Sequence, residues 1–318
     1  MENERFMFRV LEMYYTDELS QAEIAKKMRV SRATISRTIL RAKQEGYVTI
    51  SIHHPENTQH HLEKQLETKY GMQEVVIASP EKGKTVREQV NQEVTAYLLR
   101  VLKSGMTLGI TWGLTLGSFI ESLKRDTRMR NVNLKDVKVV PFIGTANLIE
   151  FDIFMQRNHA NLYALELAEI LKGIGYQLPA PMYVSNKKAK EVLESDALIS
   201  QVLQQAACAD IGFLPIGPVT EQSSFVKSGV LSIESMHQMK EEGAVGEVIG
   251  NFFTEDGRFL ENEMSERMIG ISREQLVHVP LKVGIAYGKD RVPAIKGALN
   301  SHIINVLITD STTAKNLL

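Results

Sequence analysis

Arg32, Thr34, Ser36 and Arg37 lie within one short segment, SRATISR, whose side chains are of the kinds that grip duplex DNA. Arginine offers paired N–H donors to a base edge or a phosphate, and a hydroxyl can serve either base or backbone. A second set is scattered through the rest of the chain. Thr111, Gly113 and Thr115 combine hydroxyls with a flexible backbone, a combination suited to phosphate or sugar hydroxyls when it opens a helix. Gly144 and Thr145 let a ligand approach the main chain. Glu247 is a lone carboxylate among small residues and can accept hydrogen bonds from a polyol, while Lys289 and Arg291 offer a cation to an anionic group.

The first set needs a helix to present it. Ser20 followed three residues later by Glu23 is a capping box, so a helix is expected from Gln21, with Ile24, Ala25 and Met28 on its apolar stripe. Ser31 caps a second helix, in which Ile35, Ile39 and Ala42 face inward. The opposite face carries Arg32, Thr34, Ser36, Arg37 and Arg41. This division is that of a helix-turn-helix, with Arg32, Ala33 and Thr34 at base edges, Arg37, Arg41 and Lys43 at phosphates, and Ser31 and Ser36 at either. Gln21, opening the first helix, joins the DNA-contacting candidates. Arg29 occupies the position where glycine often ends the first helix, a left-handed conformation costing about 1–2 kcal/mol. Residues 5–15 have helical apolar spacing for a supporting helix, and residues 47–53 alternate as a wing strand would.

Residues 20–50 hold seven basic side chains (Lys26, Lys27, Arg29, Arg32, Arg37, Arg41, Lys43) and two acidic ones (Glu23, Glu45), in a chain of net charge −1. The positive charge is therefore local, as a DNA footprint requires. At 318 residues and 43% hydrophobic, the chain is long enough for a small reading module plus a larger partner. The expected division is a DNA-binding domain over 1–54, a connector helix over 55–70 and an effector-binding and oligomerisation domain over 71–318. Leu62 and Leu66 sit four apart on the connector, a spacing that suits pairing with a second copy. The N-terminus MENERF is charged and no apolar run of about eighteen residues occurs, so a soluble, cytoplasmic protein is expected. Four of the eight histidines (His53, His54, His60, His61) crowd near the connector, but adjacent histidines diverge and no cysteine accompanies them, so a solvated linker is expected and no metal. Cys208, in an apolar helical run, is expected to be a buried small hydrophobe.

Beyond Gly71 short β runs alternate with amphipathic helices. Strands are expected at 75–78, 107–111, 137–142, 177–180, 211–216, 283–287 and 306–309, and helices at 86–103, 116–124, 161–172, 197–207 and 292–299. Such alternation implies an α/β fold with a mostly parallel sheet covered on both faces. Ligands bind such sheets at the carboxyl ends of the strands, where the second set of residues falls. A single shared pocket is expected from them.

The segments LSQAEIAKKMRVSRATISR, GITWGLTL, VVPFIG, GAVGEVIGNFFTEDG and AIKGALNSHIINVLITDSTTAKNLL, in this order, resemble the SorC family of bacterial sugar-responsive transcriptional regulators over essentially the whole chain. The resemblance implies an N-terminal winged helix-turn-helix, a Rossmann-like effector domain related to sugar-phosphate isomerases and CoA-transferases, and a homotetramer on palindromic operator DNA. It also implies that Gly113 and Thr115 form a ligand-gripping turn, Gly144 and Thr145 a second glycine loop, Asn161 the start of the next helix and Glu247 the acidic residue of an AVG[DE] motif. Arg291 falls where the family usually has Lys. Ile143 departs from relatives that carry Lys or Arg there, while the sorbose-operon branch also reads VP-x-IG. The implied effector is a sugar, polyol or sugar phosphate held non-covalently by Thr111, Gly113, Thr115, Gly144, Thr145, Asn161, Glu247 and Arg291, with no cofactor. Two other functions compete. Isomerase-like catalysis needs a base with a partner, and Glu247 has only Asp152 and His159 along the chain to consider; an architectural DNA-binding protein would have no effector at all.

Overall fold

The computed structural model describes residues 2–50, 59–146, 159–261 and 263–318. The chain divides into two compact units, Met1–Glu56 and Asn57–Leu318.

The smaller unit holds three helices, α1 (Glu2–Tyr15), α2 (Gln21–Met28) and α3 (Arg32–Gln44). Ser20 and Glu23 form the expected capping box, and Arg29 ends α2 in the left-handed region at φ 58° and ψ 43°, its N–H returned to the carbonyls of Ala25 and Lys26. Ser31 caps α3 by accepting the Thr34 N–H. Met7, Val10, Leu11 and Met13 from α1 pack with Ile24, Ala25, Ile35, Ile39 and Ala42 in one small core. The wing differs from expectation. Residues 47–50 form no strand; instead the Tyr47 ring meets Phe8 edge-on at 5.5 Å and Val48 packs on the core. Residues 51–53 of the expected wing, with His53 and His54, lie outside the described residues.

The larger unit carries ten strands among the described residues: β1 Glu74–Ala78, β2 Thr107–Ile110, β3 Lys138–Pro141, β4 Ile174–Gly175, β5 Ile211–Pro215, β6 Gly217–Pro218, β7 Gly246–Val248, β8 Asn251–Phe253, β9 Leu281–Ile285 and β10 Val306–Asp310. Seven form one parallel sheet in the order β1-β10-β9-β5-β2-β3-β4. Alternate strand residues face opposite sides. Leu108, Ile110, Phe213, Ile285 and Ile308 share a core with helices Val86–Val101, Leu114–Arg125 and Ala160–Leu171. Leu214, Ala286 and Leu307 face the other core, with the helix Val292–Asn300. The sheet is thus covered on both faces. A separate antiparallel trio joins β6, β7 and β8.

Three expectations change. Residues 177–180 are not a strand: the Leu178 N–H donates to Asn161 Oδ1 at 2.7 Å and the Leu178 carbonyl accepts from Asn161 Nδ2 at 2.9 Å, and Pro179 and Pro181 have no N–H to offer a ladder. The edge strand is β4 instead. Helix α4 (His60–Tyr70) directs Leu66 into the core with Leu62 against it, so this apolar face is occupied within the unit rather than presented to a copy. Its Glu63 and Glu67 accept the outward N–H groups of Ile77 and Val75 at 2.9 and 3.0 Å, closing the outer edge of β1. Cys208 is exposed. The helix Ala197–Ala207 buries Ile199, Val202 and Ala206, and Cys208 at its C-terminal cap lies off that stripe.

Candidate functional site

The polar face of α3 is open. Ser31, Arg32, Thr34, Ser36 and Arg37 are exposed, and Gln21 at the start of α2 is half-buried. Ser31 and Thr34 are tied to each other: the Ser31 hydroxyl accepts the Thr34 N–H at 3.1 Å and lies 2.8 Å from the Thr34 hydroxyl. Arg41 pairs with Glu45 at 3.2 Å one turn on, within the last turn of α3 and its cap. Leu40, which sequence reasoning passed over, is 56% exposed and shares the helix face of Ala33, Ser36 and Arg37. Its apolar character hid it, because helical spacing alone does not separate an exposed leucine from a core one.

In the larger unit the strand order reverses between β2 and β5. The chain runs from β2 outward through β3 and β4, then returns to β5 and continues the other way through β9 and β10. Neighbouring loops diverge at such a point and leave a crevice. A cavity of about 160 Å³ occupies it, lined by Thr111, Gly113 and Thr115 after β2, Ile216 and Gly217 after β5, Asp290 and Arg291 after β9, and Glu247 from β7.

Each of these groups has a local cause. Gly113 takes φ 101°, open to glycine and costly for other residues, and starts the helix Leu114–Arg125 with no side-chain cap. Its first N–H groups are therefore directed at whatever fills the crevice. Trp112, which also lines the cavity, sets its ring edge-on to Phe225 at 5.0 Å, which fixes the turn. Glu247 stands opposite Gly217 in the β6–β7 ladder. A Cβ on Gly217 would come within 2.2 Å of Glu247 Oε1, so the carboxylate occupies space that only glycine leaves. Glu247 Oε2 accepts the Gly250 N–H at 3.0 Å. Burial pushes the carboxyl up to about 7, against the opposing effects of the Gly250 N–H and the Arg291 charge. Arg291 donates from Nη1 to the Ile216 carbonyl at 3.2 Å and lies over the Tyr287 ring at 5.9 Å. Lys289, beside it in sequence, is exposed and does not line the cavity.

Asp310, at the end of β10, was not legible as a site residue. It is buried, and it accepts the N–H groups of Thr312, Thr313 and Gly288, the last at 3.1 Å. Burial pushes its carboxyl up, but the Thr313 hydroxyl and these N–H groups together hold it below the usual range. The Gly288 contact anchors the loop that carries Arg291. Asp310 is a positioning residue whose only sequence signal is its place at a helix start.

The remaining candidates lie elsewhere. Thr145 and Asn161 line a second cavity with Ala180, Tyr183 and Val230. The Asn161 amide there donates to the Thr145 hydroxyl at 2.9 Å while it also pins Leu178. Gly144 lines neither cavity; its backbone packs so closely that a Cβ would sit 2.4 Å from the Pro181 carbonyl oxygen. The loops thus divide five candidates from two. His159 caps the helix Ala160–Leu171, its Nδ1 accepting the Leu162 N–H at 3.3 Å, and burial lowers its proton affinity. Asp152 lies outside the described residues.

Comparison with known proteins places this arrangement. Residues 54–318 match the family described as "Putative sugar-binding domain", and residues 8–45 match "Sigma-70, region 4". The chain is similar to the deoxyribonucleoside regulator of Bacillus subtilis, 27% identical with 99% of this chain and 98% of that protein covered. It is equally similar, at 27% with the same shares covered, to the sorbitol operon regulator of Klebsiella pneumoniae. The crystal structure of that full-length regulator, SorC, superposes with a TM-score of 0.72 at 26% identity, covering 100% of this chain and 99% of that one.

The chain belongs to the SorC family. It is a DNA-binding transcriptional regulator with a helix-turn-helix and a sugar-binding domain, and the relatives and neighbours named here are regulators, not enzymes. In this SorC-family regulator Ile143 is fully buried and bridges Gly270, so that position supplies neither a cation nor an amine to a ligand. Among the described residues no three metal-ligating side chains cluster, and no helix is long and apolar enough to cross a membrane.

Proposed function

We propose that the effector of this regulator is a sugar, polyol or sugar phosphate held non-covalently in the crevice between β2 and β5, and that its occupancy changes operator binding. The observation that carries the reading is the convergence of three complementary groups on one cavity. The uncapped start of the helix Leu114–Arg125 and the Arg291 guanidinium suit an anionic or oxygen-rich group, and the Glu247 carboxylate accepts from hydroxyls. Thr145 and Asn161 line a second cavity of the same domain, and Gly144 packs behind them without lining either. The curated relatives' names, a deoxyribonucleoside regulator and a sorbitol operon regulator, agree with this ligand class.

Arg32, Thr34, Ser36 and Arg37 read the operator, with Ser31 shaping the start of α3 and Gln21 touching the backbone. The protein acts in the cytoplasm as a homotetramer on palindromic sites, partitioned as a DNA-binding domain at 1–54, a connector at 55–70 and an effector domain at 71–318 whose fold is akin to sugar-phosphate isomerases and CoA-transferases. Half-sites on one face of the duplex lie about 34 Å apart or multiples of that, so a small rotation between subunits weakens binding at both.

Thermal melting with D-sorbitol, erythritol, 2-deoxyribose 5-phosphate and the monophosphates of the two polyols tests the reading, with operator titrations in parallel. One of these ligands at a hundred times its dissociation constant adds about 2.7 kcal/mol of stability. It also shifts the operator titration. A melting temperature indifferent to the whole series overturns the proposal.

A further inference from the structure

Tyr183 has a buried hydroxyl with no hydrogen-bond partner. Leaving such a group unpaired in a folded protein is costly, and native structures rarely tolerate it without a purpose. Of the three unpartnered buried side-chain atoms among the described residues, this one belongs to a side chain that lines a cavity, the one shared with Thr145 and Asn161.

What stands between this phenol and the Glu247 cavity is a two-residue turn. Ile249 lines the Glu247 side, and a Cβ on Gly250 would lie 2.8 Å from the Tyr183 oxygen on the other. The turn is strained. Ile249 holds φ 51°, a conformation in which a β-branched residue is an outlier, and Gly250 follows at φ 68°. It is kept there by the Gly250 N–H bond to Glu247 and by Asn251 Nδ2 donating to the carbonyls of Val248 and Ile249 at 3.1 and 3.2 Å. The Glu247 charge already acts on the phenol, which burial first and this carboxylate second push up. The Tyr183 ring also touches Phe225 at 6.4 Å, and Phe225 abuts Trp112 of the first ligand loop.

We infer that Tyr183 is an effector-binding residue: when a polyhydroxy ligand engages Glu247, the Ile249–Gly250 turn relaxes and the Tyr183 hydroxyl donates to a ligand hydroxyl. This rests on the reading of the β2–β5 crevice as the effector site. The ligand then gains a donor that the free protein leaves unused, and release of backbone strain adds to its affinity. A sugar hydroxyl is an acceptor of the right size; an aliphatic group in its place leaves the phenol unpaired and is discriminated against.

The test is Tyr183→Phe in the full chain, compared with wild type by calorimetric titration of D-sorbitol, erythritol, 2-deoxyribose 5-phosphate and the two polyol monophosphates. The expected result is a five- to tenfold loss of affinity for whichever probe the wild type binds, about the worth of one neutral hydrogen bond. The variant's own melting temperature stays level or rises, because a phenol with only a structural role would leave it lower. Singly deoxygenated forms of that probe give the finer readout: at one hydroxyl position the loss in wild type and the loss from Tyr183→Phe are not additive. Unchanged affinity in Tyr183→Phe with normal binding by wild type overturns the inference alone. Failure of the wild type to bind any probe overturns the crevice reading and this inference with it.

Discussion

The helix-turn-helix and the candidate effector cavity solve the same problem, holding polar groups in fixed positions, at very different ranges along the chain. The reading face is contained in residues 20–44, and its caps, core stripe and exposed arginines all come from that one short segment. The cavity gathers Thr111, Gly217, Glu247 and Arg291, which meet only because the sheet reverses direction between β2 and β5. Local geometry makes the first robust to substitution elsewhere. Sheet order makes the second sensitive to distant residues such as Asp310.

The largest effect that could break this contrast is expected from Ile35→Ala. Ile35 is fully buried in the small core of the N-terminal unit, and truncation costs about 2–5 kcal/mol there. Operator binding is lost while ligand-induced stabilisation of the larger unit persists; a joint collapse of both in calorimetry would show that the two regions are not separable. Next is Glu247→Gln, expected to weaken the effector by about 1.5–3 kcal/mol through loss of a charged acceptor, with operator affinity in the absence of ligand unchanged. Because its carboxyl titrates at about 7 rather than 4.5, effector affinity rises with pH up to about 7 and then levels. Stability of the free protein runs the opposite way. The folded state retains a proton that the unfolded chain releases, so this residue's contribution declines as pH rises from about 4.5 to about 7. Glu247→Gln flattens both profiles, and a surviving slope in either assigns it to another group.

Arg37→Ala is expected to cost about 1–2 kcal/mol of operator affinity and nothing in effector binding, and a phosphate role further predicts a drop of about one in the salt-dependence slope. An unchanged slope moves Arg37 from phosphate to base. Gly217→Ala sharpens the comparison from the other side. Its new methyl must displace the Glu247 carboxylate, the free end of a flexible side chain, so effector affinity falls by about 1 kcal/mol with little change in melting temperature. Smallest is Ser31→Ala, which removes the cap of α3 and costs about 1 kcal/mol of local stability. Hydrogen exchange at the first turn of α3 reports it.

Much of the fold was readable because its signals are short-ranged. Ser20 with Glu23 and Ser31 with Thr34 fix the starts of two helices from near neighbours alone, and the spacing of Ile24 on one and of Ile35 and Ile39 on the other marks the faces they bury. Six of the seven expected parallel strands appear at or within two residues of their expected bounds, as runs bounded by turns. Two of the three exceptions share a cause. Residues 177–180 carry a strand-like pattern, but Asn161 captures the Leu178 backbone from seventeen residues away; α4 reads as a connector able to pair with a second copy, but β1 and the core take its face. Cys208 looks buried, but the helix ends at Ala207 as expected and leaves it at the cap, off the buried stripe. In the first two cases a long-range partner outcompeted the local preference.

For the candidate site the same boundary holds. Residue types named Thr111, Gly113, Thr115, Glu247 and Arg291, since hydroxyls, glycines and lone charges after strands are visible in one dimension. That these five share a cavity, that Thr145 and Asn161 line another, and that the Tyr183 phenol waits behind a strained turn were decided by the order of strands in the sheet. Periodicity and capping are properties of neighbours along the chain, so the sequence by itself determined the elements and the DNA-reading face. Which strand ends adjoin depends on hydrogen-bonded pairing between residues about a hundred positions apart, as in β2 beside β5, and only the tertiary structure could decide that.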